Sequence, residues 1–336
     1  MKVLFVDRVW RKHSHSTDFF KDVLREAGCE VIDFWFENCY RYEIPKSVVG
    51  AVDVVVFFEF LYRRFSLGIA GKPCVFVPMY DNDPGSRWLW RRIAYSGMTV
   101  VSFCERLTRL ARSCGVKKLV DVRYALDPNR FADCAGNPRV VALWERGQVD
   151  FSSVKALFAS EDVEKVLLIR KDEEPVDSVA FSDEIMSSYH VEIKSGKFLP
   201  EKEYFESLRE PGIFIAPRYK EGIGLPFLEQ LAMGKCVVAH NDATMNEYIE
   251  DGKTGILVDM RHPRRLTQSE VLNVRTNVRA SADAAYARWM RDREKIVKVF
   301  SSLEGFGVTK SAFGIWSVVA FVLSIVEYAC LRFLHF

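Results

Sequence analysis

Two glutamates, Glu221 and Glu229, stand with seven residues between them, and that interval holds Gly222, Gly224 and Pro226. The stretch 214–240 around them reads as strand, loop, helix and strand. Pro226 suits a first helical turn, where its missing N–H costs nothing, and Gly234 suits the helix end, so the helix should run about two turns. The loop 218–225 then leaves the carboxyl end of a parallel strand, the place where open α/β sheets bind ligands. Gly222 and Gly224 let a ligand approach the backbone closely. The N–H groups and positive dipole end of the next helix attract an anion such as a phosphate. Two carboxylates at different heights suit a ribose diol and a sugar hydroxyl, although a plain surface loop has the same composition.

Such a loop needs a sheet behind it. Short apolar runs at 3–6, 30–34, 52–57, 74–78, 99–103 and 119–123 alternate with helical stretches, the first of them 16–26, closed by Gly28. This is the rhythm of β-α-β units and of a doubly wound parallel sheet. The turn-prone residues around 133–138 break the pattern. A second series then follows at 140–143, 166–169, 191–193, 212–216, 236–240 and 255–258. The expected fold class is therefore α/β, with two Rossmann-like doubly wound domains facing a cleft. The expected division is 1–135 for the first Rossmann-like domain, 136–300 for the second and 301–336 for an apolar helical tail.

The residues Glu221-Gly222-Ile223-Gly224-Leu225-Pro226-x-x-Glu229 are followed by Ala232-x-Gly234-x-x-Val237-Val238-Ala239. After these comes Glu247-Tyr248-Ile249-x-Asp251-Gly252-x-Thr254-Gly255-x-Leu257-Val258. Together they resemble the Glu-x7-Glu signature of retaining glycosyltransferases of the GT-B fold, family 4. Tyr124-Ala125-Leu126-Asp127-Pro128-x-x-Phe131 resembles the stretch that ends that family's first domain. The resemblance implies that Glu221 contacts the transferred sugar and Glu229 the nucleotide ribose. It also implies that Ile223, Gly224 and Leu225 offer backbone N–H groups to sugar oxygens and the diphosphate. Departure of a nucleoside diphosphate builds negative charge on phosphate and oxocarbenium character on the sugar, so donors on one side and a carboxylate on the other both help. The resemblance further implies that 136–300 binds the donor, a nucleotide sugar, and that 1–135 binds the acceptor. No metal or other cofactor is expected, because a helix dipole and basic side chains are suited to neutralise the diphosphate and no ligand cluster stands near the motif.

This sequence departs from the family pattern in two places. Family members carry a Gly-Arg and a downstream Lys after the first strand of the second domain. Arg146 stands for the arginine, while the lysine has no clear counterpart; Arg170, Lys171, Arg218 and Lys220 are the nearby cations. The Gly-Gly loop after the first strand is replaced by 8–16, which carries His13 and His15. These two histidines are suited to acceptor or phosphate contact, since a metal pair there has no third ligand, and the plainer reading is a solvated loop. Asp81, at the carboxyl end of another first-domain strand, is suited to orient an acceptor hydroxyl and reads equally as part of a plain turn rich in Asn, Asp and Pro. His240 ends a strand near the donor loop and reads equally as a packed histidine. The same fold also accommodates nucleotide-sugar epimerisation or hydrolysis, and a catalytically degenerate membrane-associated subunit.

Composition limits the partners. The chain of 336 residues carries a net charge of only +2, yet residues 60–130 hold 13 basic against 5 acidic residues. Arginine is interleaved with aromatics at 57–65 and 86–92, as in interfacial membrane segments. No nucleic-acid-binding module accompanies that charge. Eight scattered cysteines without C-x-x-C spacing read as reduced thiols, and the opening residues read as a first strand and not a signal peptide. Residues 311–331 are largely apolar with Glu327 as their only charge, long enough for a membrane span and suited also to a helix packed back across the first domain or to a partner interface. The expectation is a cytoplasmic enzyme held on the cytoplasmic face of a membrane, acting on a saccharide or lipid-linked saccharide.

Overall fold

The computed structural model describes residues 1–306 except 39–43, 62–71, 83–85, 132–133, 171–182 and 196–199. Its chain falls into two units. The first comprises Met1–Arg123 and the chain from Trp289 onward; the second is Tyr124–Arg288.

In the first unit the apolar runs become β1 (Lys2–Arg8), β2 (Glu30–Phe36), β3 (Val54–Phe58), β4 (Cys74–Val77), β5 (Thr99–Ser102) and β6 (Leu119–Asp121). They form one parallel sheet in the order β2-β1-β3-β4-β5-β6. All five residues of β3 and all four of β4 are buried, as sheets covered by helices on both faces require. Winding reverses between β1 and β3, so the loops after these strands diverge and leave a crevice at their carboxyl ends. The rings of Phe5, Phe20, Phe58 and Phe103 pack behind the sheet at centroid distances near 6 Å.

The second unit repeats the plan with β7 (Asn137–Trp144), β8 (Lys165–Arg170), β9 (Val191–Ser195), β10 (Pro211–Ile215), β11 (Cys236–His240) and β12 (Ile256–Val258). All are parallel, in the order β12-β11-β10-β7-β8-β9. The direction of winding changes between β7 and β10. Val141, Leu143, Val166, Leu168, Ile213, Ile215 and Val238 form the centre of its core.

The last described α-helix, Gln268–Phe300, is 33 residues long. Its residues from Trp289 belong to the first unit, where the Trp289 ring meets Phe19 and Phe103. There the Asp292 carboxylate accepts from the Arg123 backbone N–H at 2.9 Å, and the Cys29 thiol donates to the Phe300 carbonyl. The compact units thus change over at Arg123/Tyr124, where sequence reading put the break at 135/136. The end of the long helix joins the first unit because its aromatic residue completes that unit's core. The apolar stretch 311–331 lies outside the described residues. Among the described residues no helix is long and apolar enough to cross a membrane.

Candidate functional site

The carboxyl ends of β7 and β10 flank the winding reversal of the second unit, and both loops carry the residues singled out by sequence. After β10 the chain runs through Glu221 and Gly222 to Gly224, which caps the helix Leu225–Ala232 with φ 78° and ψ 47°. A Cβ on Gly224 would stand 1.9 Å from the Phe227 ring, so both the left-handed backbone and the ring demand glycine. The Gly224 carbonyl accepts from the N–H groups of Phe227 and Leu228, each at 3.1 Å. The eight-residue helix ends at Ala232, with Gly234 at φ 79° and the Lys235 N–H returning to the Gln230 carbonyl. Its first-turn N–H groups therefore stand at the mouth of the loop, as the Pro226 and Gly234 spacing anticipates.

A hydroxyl from a neighbouring loop holds the turn. Thr244, fully buried, places its Oγ1 2.7 Å from the Glu221 carbonyl and 2.8 Å from that of Gly222. Glu221 itself is only 5% exposed, whereas Glu229 on the helix is half-buried. Tyr219 donates its backbone N–H to Gln148 Oε1 at 3.0 Å, which ties the β10 loop to the one after β7.

On the β7 side, the Arg146 guanidinium lies over the Trp144 ring, 4.8 Å from its centroid. The Trp144 ring stands 6.4 Å from Tyr204 of the helix Glu201–Ser207. The Tyr204 hydroxyl donates to Glu229 Oε2 at 2.8 Å. Burial, and then the Glu229 carboxylate, hold the Tyr204 phenol well above its ordinary pKa, with Arg146 pulling the other way. The structure thus links Arg146 to Glu229 through Trp144 and Tyr204. Neither Trp144, Tyr204 nor Thr244 was singled out by sequence reading. Trp144 adjoins Arg146 in the chain, while Tyr204 sits in a charged stretch that carries no signal of its own.

Three of the four cations considered for the absent lysine have definite positions. Arg170 pairs with the buried Glu145, which also accepts from the Phe151 N–H at 2.9 Å. Lys171 lies outside the described residues, and Arg218 and Lys220 are half-buried in the β10 loop. His240 is packed: its Nδ1 accepts from the Met260 N–H at 3.1 Å and its ring lies 5.0 Å from that of Tyr219. Neighbouring Asp259 is held below its ordinary pKa, chiefly by its bond from His262.

In the first unit, His13 is exposed on the short helix Arg11–Ser14. His15 follows with φ 54° and a ring nitrogen 2.9 Å from Asp18. Asp81 is half-buried in the turn Tyr80–Asn82 after β4. Between these lies a network that sequence reading missed. Fully buried Asp7, at the end of β1, accepts from Arg11 at 2.6 Å, Thr17 at 3.0 Å and the Arg8 N–H at 2.8 Å. Burial raises the Asp7 pKa, with Arg11 the main opposing influence. Glu59, which follows β3 with φ 69°, accepts from both Arg11 and Asn82. Among the described residues no group of three or more His, Cys, Asp or Glu is arranged to hold a metal.

Residues 188–269 match the family model glycosyl transferases group 1. That span includes Tyr204, Glu221–Leu225, Glu229 and Thr244. Over 55 residues the chain is 44% identical to the D-inositol 3-phosphate glycosyltransferase of Paenarthrobacter aurescens; the stretch is 16% of this chain and 14% of that relative. A glycosyltransferase from Rickettsia africae superposes with a TM-score of 0.61 at 11% identity, over 90% of this chain and 98% of that one. HepE of Anabaena, crystallised with UDP and glucose, superposes with a TM-score of 0.56 at 16% identity, over 90% of this chain and all of that one. The two-domain α/β architecture is that of the GT-B glycosyltransferases.

Proposed function

We propose that this chain is a retaining hexosyltransferase, which moves a sugar from a nucleotide donor to a saccharide or lipid-linked saccharide in the synthesis of a cell-surface glycan. The observation that carries the reading is the construction of the β10 loop. A buried carboxylate, Glu221, stands on a turn clamped by Thr244, directly before a helix N-terminus whose cap only glycine can form. The matched family segment and the UDP and glucose held by HepE support a nucleotide sugar as donor.

In this reading each group has one task. Glu229 accepts hydrogen bonds from the ribose, and Arg146 with the first-turn N–H groups of Leu225–Ala232 neutralises the diphosphate. As the bond to the anomeric carbon breaks, negative charge grows on the departing phosphate, where these donors are already oriented. Glu221 faces the sugar, where a carboxylate stabilises oxocarbenium character. With the diphosphate neutralised by the protein, the reaction is proposed to run without a divalent metal. A thermal-shift screen of nucleotide sugars, followed by transfer assays with and without chelator, tests this. Stabilisation by one donor and undiminished turnover in chelator are expected; no stabilised donor, or a rate restored only by manganese, would contradict it.

Association with a membrane surface is part of the proposal. The helix Arg87–Ser96 exposes Trp88 and Tyr95 beside Arg87 and Arg91, and the Arg91 guanidinium covers the Trp88 ring at 5.3 Å. The adjoining helix Glu105–Ser113 adds exposed Arg106, Arg109 and Arg112. Exposed aromatics set among arginines suit an anionic interface.

A further inference from the structure

A glutamate that binds a diol must hold its carboxylate in one orientation, and three side-chain torsions work against that. In this chain one oxygen of Glu229 is committed before any ligand arrives, by the 2.8 Å bond from the Tyr204 hydroxyl. The phenol is itself fixed. Its ring packs against Phe205 at 5.2 Å and faces Trp144 at 6.4 Å, on which Arg146 rests. Arg146 and Glu229 both act electrostatically on Tyr204, so a cation and an anion adjoin the same phenol. An ionised carboxylate has about four lone-pair sites, so a bond from tyrosine leaves it able to accept from ligand hydroxyls.

We propose that Tyr204 is a positioning residue that sets the Glu229 carboxylate for a ribose diol, and so gives the donor site its preference for ribonucleotides over deoxyribonucleotides. This rests on the reading of Glu229 as the ribose contact. The phenol serves only while protonated. Because burial and Glu229 hold its pKa well above the ordinary value, it stays a donor throughout the neutral range. Without the hydroxyl, Glu229 regains its torsional freedom and the adjacent guanidinium of Arg146 competes for it.

The test measures binding of UDP, GDP and ADP to the full chain by calorimetry, and then of the 2′-deoxy and 3′-deoxy forms of the tightest. Wild type, Tyr204→Phe and Glu229→Gln are compared, with melting curves to verify that each variant folds. Wild type should prefer the ribonucleotide by roughly 10- to 150-fold, the value of one hydrogen bond to a charged group. Both variants should lower that preference to within about threefold, the loss falling more on the ribonucleotide than on either deoxy form. A Tyr204→Phe protein that keeps the wild-type preference, or loses affinity equally for every form, overturns the proposal. If wild type itself treats ribose and deoxyribose alike, or binds none of the three diphosphates, the reading of Glu229 fails and the proposal with it.

Discussion

The buried hydroxyl of Thr244 stands within 2.8 Å of two consecutive carbonyls, those of Glu221 and Gly222. One side chain from the loop after β11 therefore fixes the backbone that carries the central carboxylate. A threonine methyl contributes packing as well, and substitution by valine separates the two roles.

Thr244→Val should leave two buried carbonyls without their donor, at a cost of about 1–3 kcal/mol. Turnover should fall more than donor affinity, since Glu221 is the residue whose backbone is released. Thr244→Ser, which keeps the hydroxyl, should restore most of the rate. Steady-state kinetics on the three proteins check this; a valine variant with wild-type kcat would mean that Thr244 only fills space.

Lys235 follows Gly234 into β11, is fully buried and donates to the Leu208 carbonyl. Burial brings its pKa down to about 7 from 10.5. Between these values the unfolded chain binds a proton that the folded chain does not, so this residue makes stability rise with pH from about 7 towards 10.5. Below pH 7 its full destabilising effect is present. Chemical denaturation across pH 6–10 should show Lys235→Met more stable relative to wild type at pH 6 than at pH 10. A difference that does not change with pH would show that the lysine titrates normally.

Trp289 is 4% exposed between Phe19 and Phe103. Truncation to alanine should cost about 3–5 kcal/mol, the usual range for a core tryptophan. Thermal unfolding of Trp289→Ala measures it. A loss under 1 kcal/mol would show that the end of the long helix contributes little to the first unit.

Much of this architecture is legible in the sequence because parallel strands buried on both faces are written as plain apolar runs. The segment 54–58 is Val-Val-Val-Phe-Phe and every residue of it is buried. The β10 loop is legible for a different reason: Pro226 and Gly234 punctuate a two-turn helix, which the structure places at Leu225–Ala232. Residues whose roles depend on distant partners are not. Tyr204 meets Glu229 across 25 positions, and Glu59 is joined to Arg11 across 48. Trp289 lies in a helix whose local sequence is mostly charged, so its anchoring of that helix shows only once Phe19 and Phe103 are seen around it.

The central claim is that Glu221 serves sugar transfer with retention, and time-resolved proton NMR of the reaction tests it most directly. The donor found by screening is followed with wild type and with Glu221→Gln, and the anomeric signal of the first product is read before it can equilibrate. The wild-type product should keep the donor's anomeric configuration, and the variant should form it roughly one to two decades more slowly, as expected for losing about 1–3 kcal/mol of transition-state stabilisation. An inverted first product, or a Glu221→Gln enzyme as fast as wild type, would contradict the account.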